Sequence, residues 1–135
     1  MPPPADRTGF ARIVTAAPAD IDELGHVNNA IYLRWVQDVA TAHWRETARP
    51  EDIARYVWVV TRHEVDYLRP TLVGETVTLT TWVGTPKGAR FDRYVDITGE
   101  DGRLRVRAVT IWALIDQETA RAVRVPAEVA APFLR

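Results

Sequence analysis

The sequence predicts an α+β fold in which a sheet of about five antiparallel strands wraps one long helix. Three observations predict it. Apolar residues recur at helical spacing over residues 30–47. From residue 56 onward the apolar period changes from about 3.6 to about 2. No internal repeat and no long linker interrupts the 135 residues, so 1–135 reads as a single domain.

The elements follow in order. Pro2 to Pro4 form a stiff lead-in. Residues 10–16 (FARIVTA) alternate loosely as a first strand, and Pro18 stops it. Asn28 or Asn29 suits a helix N-cap, because an amide oxygen accepts from the free N–H groups of a first turn. The helix then carries Tyr32, Val36, Val39 and His43 on one face, widened by Ile31, Leu33, Trp35 and Ala42. So little of its circumference is polar that it should be mostly enclosed. Residues 48–52 (ARPED) read as a connecting loop.

Residues 56–69 make a long strand ended by Pro70. Its odd positions, Val57, Val59, Thr61, Val65 and Tyr67, suit the core face. Gly74 and Glu75 turn the chain into a strand over 76–83, with Val77, Leu79 and Val83 on one side. Residues 85–88 (TPKG) make the next turn, and residues 90–98 place Phe91, Val95 and Ile97 together. Residues 100–102 (EDG) signal a hairpin into a last long strand over 103–115. A short edge piece over 121–125 and a small terminal helix starting at Pro126 complete the chain.

Composition narrows the function. The chain is 47% hydrophobic and 26% charged, as a globular domain should be. It has no cysteine, which removes disulfides, thiolate metal sites and cysteine nucleophiles. A formal net charge of -1 argues against a general nucleic-acid binder, which needs a broad basic surface. Nothing approaches the roughly 20 apolar residues of a membrane span, and the first ten residues lack a signal-peptide core. A cytoplasmic protein without nucleic-acid or membrane partners is therefore expected.

One stretch concentrates polar chemistry. Residues 20–35 (DIDELGHVNNAIYLRW) place three carboxylates, a glycine, a histidine and two asparagines at a helix start. Taken singly, Asp22, Asn28 and Asn29 are what a cap requires, and Gly25 supplies a positive φ. The pattern D-x-D-x-x-G resembles the start of a calcium loop. Its third ligand position holds Leu24 and its closing position Ile31, so calcium is rejected. His26, His43 and His63 lack paired zinc-ligand spacing, so no metal is expected. The other reading is acyl transfer. Free N–H groups at a helix start can hold an oxyanion, and a carboxylate on the preceding loop can act as general base or nucleophile. A thioester suits this equipment: its leaving thiol, with a pKa of about 8.5 by analogy with cysteine, departs without a strong acid.

The run D-x-x-G-H-V-N-N-x-x-Y-x-x-W resembles the hotdog-fold acyl-CoA thioesterases, most closely the 4-hydroxybenzoyl-CoA thioesterase-like group. Asp22, Gly25, His26, Val27, Asn28, Asn29, Tyr32 and Trp35 carry the resemblance, and residues 65–77 (VDYLRPTLVGETV) are similar to the family's strand-Pro-Gly-acid turn. The resemblance implies a hotdog fold and hydrolysis of an acyl-CoA thioester, with no cofactor. It implies Asp22 as the catalytic carboxylate and the backbone N–H near Asn29 as oxyanion donor. Plant acyl-carrier-protein thioesterases share the HVNN run, which adds His26 and Asn28 to the catalytic set. Gly25 and Tyr32 join the substrate-binding residues. Asp20 is taken as structural.

Coenzyme A carries phosphates, so a basic rim is expected. Lys87 and Arg90 flank a glycine turn where similar enzymes hold the nucleotide end. Arg103, Arg105 and Arg107 form a second candidate, a basic stripe along one strand. Tryptophans 35, 44, 58, 82 and 112 belong to the core, an interface or an acyl pocket. A half-greasy strand face at Tyr56, Trp58 and Val60 would be covered by another subunit, and the resemblance implies a homodimer or homotetramer. Two alternatives stand beside acyl-CoA hydrolysis. One is an acyl-carrier-protein thioesterase docked through Arg34, Arg62 and Arg69. The other is a non-catalytic acyl-CoA-binding hotdog domain. A hotdog dehydratase fits the Asp22-to-Asn29 motif less well.

Overall fold

The computed structural model describes residues 3–135. The proline lead-in enters only from Pro3; its first part lies outside the described residues. Strand β1 (Phe10–Thr15) leads through a short 3-10 turn (Pro18–Asp20) to helix α1 (Asn29–Thr47). Helix α2 (Pro50–Arg55), then strands β2 (Tyr56–Tyr67), β3 (Thr76–Val83), β4 (Arg90–Gly99) and β5 (Leu104–Asp116) follow. The two-residue β6 (Arg121–Ala122) pairs with β5, and helix α3 (Ala127–Ala130) with a last 3-10 turn (Ala131–Phe133) ends the chain. The sheet is antiparallel in the order β1-β3-β4-β5-β2, so β1 and β2 are its edges.

Helix α1 begins where Asn28, extended at φ -62 and ψ 140, accepts from the Ala30 N–H through its side-chain oxygen. It buries Tyr32, Trp35, Val36, Val39, Ala40 and His43 against the sheet. Arg34, Gln37, Asp38, Thr41 and Arg45 remain exposed, so the enclosure is one-sided rather than nearly complete. Two core clusters result. One joins the first half of α1 to β3, β4 and β5 through Val36, Leu79, Ile97 and Val106. The other lies at the far end around Leu114, Phe91, Val129 and Phe133.

Residues 50–55 correct the expected loop. Pro50 sits in the first turn, Glu51 and Asp52 meet the positive end of the helix, and Arg49 donates twice to Asp52, at 2.9 and 3.0 Å.

A larger correction concerns β2. The expected core residues Val57 and Val59 are 42% and 48% exposed, whereas Tyr56 is buried and Trp58 half-buried. A β-bulge is the cause. Val60 pairs with Trp112 and Arg62 with Ile111, leaving Thr61 without a ladder partner. The extra residue reverses the parity of the strand. Even positions face inward before it, and His63 and Val65 face inward after it. Arg62 and Glu64 are thereby kept out of the core.

The expected basic stripe of Arg103, Arg105 and Arg107 also dissolves. Arg103 precedes β5, its N–H held by Asp101. The β4–β5 register shifts between Ile97 and Thr98, and Arg105 turns inward to 7% exposure. Its Nη1 donates to the Pro70 carbonyl at 2.8 Å, and Nη2 faces Glu75 at 3.4 Å. Arg107 stays outward and pairs with Asp96 at 3.0 Å. A Cβ added to Gly99 would stand 2.5 Å from Arg105 Nη2 and 2.7 Å from Nε. Gly99→Ala is therefore expected to push the guanidinium off its partners and cost about 1–3 kcal/mol, the range for orphaning buried polar groups. Urea unfolding of the variant checks this; an unchanged midpoint would refute it.

Candidate active site

The site is built on the junction between the 3-10 turn and α1. Asp22 N–H donates to the His26 carbonyl at 2.9 Å and Gly25 N–H to the Asp22 carbonyl at 3.0 Å, closing a tight loop. Gly25 has φ +79, and a Cβ there would meet nothing within 4 Å. Its conformation, not crowding, calls for glycine. One carboxylate oxygen of Asp22 accepts from the Leu24 N–H at 2.9 Å, which steadies the half-exposed side chain.

The loop is tied down on two sides. Val27 N–H donates to the Thr71 carbonyl at 2.8 Å, and Asn28 N–H to the Asp20 carbonyl at 2.9 Å. Asp20 accepts from the Ala17 N–H at 2.9 Å and faces Arg34 at 3.5 Å, so it holds the turn together. At the helix start Ala30 N–H is occupied by the Asn28 side chain and Ile31 N–H by the Asn28 carbonyl, both at 2.9 Å. Asn29 N–H has no acceptor among the described residues. As the first residue of α1 it can have none inside the helix. The junction thus presents one free N–H at the positive end of a 19-residue helix, with a carboxylate loop beside it in sequence.

The sequence-derived residues fall into two groups. Asp22, Gly25, His26, Asn28 and Asn29 share this junction. Tyr32, one turn on, is only 3% exposed, and its hydroxyl accepts from the Thr71 N–H at 3.1 Å. It anchors the segment after β2 beneath the helix start. Tyr32→Phe should leave that buried N–H without an acceptor and cost about 1–3 kcal/mol; equilibrium denaturation measures it, and a loss below a few tenths would show that another acceptor takes over.

Lys87 and Arg90 lie elsewhere. Both are exposed in the β3–β4 turn, where their backbones bond to each other, and Arg90 faces Asp92 at 3.6 Å. The loop that carries Asp22 is tied to Thr71, just before β3 begins at Thr76, and Lys87 follows the Val83 end of that strand. The eight residues of β3, roughly 27 Å at a strand's rise, separate them within one chain.

Sequence reasoning missed two features. Tyr67 hydroxyl donates to the Asn29 carbonyl at 3.4 Å, and burial with the neighbouring Tyr32 pushes its pKa up, keeping that proton in place. Only the fold brings β2 there. Arg93 was legible: it occupies an inward position of β4 between Phe91 and Val95, where a charge demands explanation. It is buried against His43 and Thr81 at the other end of the helix.

A family model described as the thioesterase-like superfamily matches residues 16–133. Among curated proteins the chain is similar to the chloroplastic acyl-(acyl-carrier-protein) hydrolase FATB3 of Cuphea viscosissima, at 31% identity over 74 residues. That match takes in 54% of this chain and 18% of the relative, so most of the longer protein has no counterpart in it. Among solved structures it is similar to the hypothetical protein SAV2348 of Staphylococcus aureus, solved in complex with CoA. The TM-score is 0.83 at 21% identity, covering 96% of this chain and 84% of that one. YbaW of Escherichia coli, a probable thioesterase, gives a TM-score of 0.83 at 21% identity, over 93% and 98% of the two chains. At such identities the structures speak to shared fold.

Proposed function

The chain belongs to the thioesterase-like superfamily and has a hotdog fold; from that premise we propose that it hydrolyses an acyl-CoA thioester to a free carboxylic acid and coenzyme A. The observation that carries the reading is the unoccupied Asn29 N–H at the start of α1, with Asp22 on the loop just before it. In this reading the thioester carbonyl accepts from Asn29 N–H. Asp22 takes a proton from water as it attacks, or attacks the carbonyl itself to form an anhydride that water then cleaves to the free acid and Asp22. The tetrahedral oxyanion is stabilised by the N–H and the helix dipole, and its collapse expels the thiolate. The Asn28 backbone and side-chain oxygen are occupied by the cap, which leaves its amide NH2, with His26, to orient the substrate.

Coenzyme A phosphates are assigned to Lys87 and Arg90. In this reading they serve the site of a second subunit, which their distance from Asp22 within one chain supports. The free edge of β2, with Val57 and Val59 exposed, supports a dimer formed there. The likeness to a carrier-protein hydrolase supports a second reading, in which the acyl group arrives on a carrier protein. Against it, two arginines of the docking patch are engaged, Arg34 with Asp20 and Arg62 with Glu64.

Thiol release from aromatic, short and long acyl-CoAs and from acyl-carrier protein tests the proposal. Turnover of acyl-CoA supports it. Turnover restricted to carrier-protein thioesters selects the second reading. Binding of acyl-CoA without turnover reduces the chain to a binding domain.

A further inference from the structure

The far end of α1 holds a second chemical environment. Asn29 and His43 stand about 21 Å apart along the axis, at about 1.5 Å per residue. Beside His43 a cavity of about 330 Å³ opens between α1, α2 and the sheet, walled by Trp44, Trp58, Phe91 and Trp112, with Arg93 and Arg45 among its lining residues. No acidic residue lines it.

Arg93 is only 8% exposed and meets no carboxylate among the described residues. Its Nη1 donates to His43 Nδ1 at 2.9 Å and to Thr81 Oγ1 at 3.0 Å. Both acceptors are neutral. Burial and the adjacent guanidinium lower the His43 pKa to about 3, so the ring stays uncharged and its proton sits on Nε2. Burial lowers the Arg93 pKa to about 10, so the guanidinium is still charged at neutral pH. Its Nε and Nη2 have no acceptor among the described residues. A buried cation lacking a counter-ion is costly, and a protein retains one where something pairs with it.

We propose that this cavity binds an organic carboxylate, with its charged group on the Nε–Nη2 edge of Arg93 and an apolar body against the tryptophans. The geometry selects this class in three ways. The free edge of one guanidinium presents two parallel N–H groups, the spacing one carboxylate accepts. A phosphate carries about two charges and would need more donors than an aromatic wall supplies. The volume is at the small end of ligand pockets, about 300–1,000 Å³, which suits an aryl or medium-chain acid rather than a nucleotide. Exposed Arg45 adds positive charge beside it. The site stands apart from Asp22 and does not depend on thioester hydrolysis.

Titration of the native protein with benzoate, phenylacetate and octanoate, against benzamide and octanol, tests the inference through tryptophan fluorescence and calorimetry. At least one acid should bind, at least tenfold tighter than its uncharged counterpart. Arg93→Met should abolish that preference while keeping the fold, since an apolar side chain of similar length replaces a buried charge. Arg93→Lys should keep part of the affinity and lose the bidentate contact. Absence of binding by any acid to the native protein would overturn the proposal. So would equal affinity for acid and amide, or an undiminished preference in a folded Arg93→Met. The native comparison decides even if the variant does not fold. Binding read without turnover also separates this outcome from failure of the thioesterase reading.

Discussion

Asp22→Asn is expected to slow thioester hydrolysis by about two orders of magnitude or more, the scale of a lost general base or nucleophile. The same change should leave stability nearly untouched. Among the described residues the Asp22 carboxylate has one structural task, accepting from the Leu24 N–H at 2.9 Å, and the Asn side-chain oxygen can accept in its place. The loop bonds from Asp22 N–H and to the Asp22 carbonyl belong to the backbone and survive the change. Asn therefore removes the charge and keeps the acceptor for Leu24 N–H, whereas Asp22→Ala removes both. Steady-state kinetics beside thermal unfolding separates the two effects. A variant with native kcat would mean that the stretch is a helix cap and that the chemistry lies elsewhere. A variant that lost activity only by unfolding would show that Asp22 is structural.

The second large effect is a pH dependence of stability centred on His43. Its ring is fully buried, stacked on Phe10 at 5.1 Å and edge-on to Phe133 at 4.8 Å, and Nε2 has no hydrogen-bond partner among the described residues. Protonation would place a second cation against Arg93. Burial, followed by that repulsion, lowers the folded pKa to about 3 from 6.5. Between those values the unfolded chain holds a proton that the folded chain lacks. Stability from this group is full above about pH 6.5 and is lost as the pH falls toward 3. The slope approaches about 1.4 kcal/mol per pH unit for one proton, so about 2 kcal/mol should be lost by pH 5 relative to the stability well above pH 6.5. Glu75, Asp101 and Asp116 are also shifted downward, but from the lower carboxylate range. Glu75 is held by the Leu72 N–H and Arg105, Asp101 by the Arg103 N–H, and Asp116 by the Glu118 N–H and Arg55. Their contribution is present above the ordinary carboxylate range and fades only below it, so it leaves the upper window to His43. Denaturant unfolding of the native chain and of His43→Gln across that window reads the difference. Gln keeps an acceptor for Arg93 and cannot titrate, so its slope should be shallower by about one proton. Equal slopes would remove His43 from the account.

Much of this was legible in the chain because the signals act between near neighbours. Asn28 caps α1 two residues away, and the HVNN run marks the helix start whatever else the protein does. The alternation of Val77, Leu79 and Val83, and of Phe91, Val95 and Ile97, follows from the two-residue period of a strand. Arg93 carried such a signal too, a charge at an inward position of β4, and the sequence reading passed over it.

The sequence by itself determined the helix, the succession of strands along the chain and the grouping of Asp22, Gly25, His26, Asn28 and Asn29, since these need only capping, periodicity and nearness in the chain. The tertiary structure decided the rest. It set the parity of β2 through the bulge at Thr61 and buried Tyr56 and Trp58 in place of Val57 and Val59. It drew Arg105 to Pro70 and Glu75, brought Thr71 under Val27 and Tyr32, and placed Lys87 and Arg90 a strand's length from Asp22. Each outcome depends on pairing between residues tens of positions apart. One extra residue in a ladder or one competing carbonyl changes such pairing without leaving a local trace.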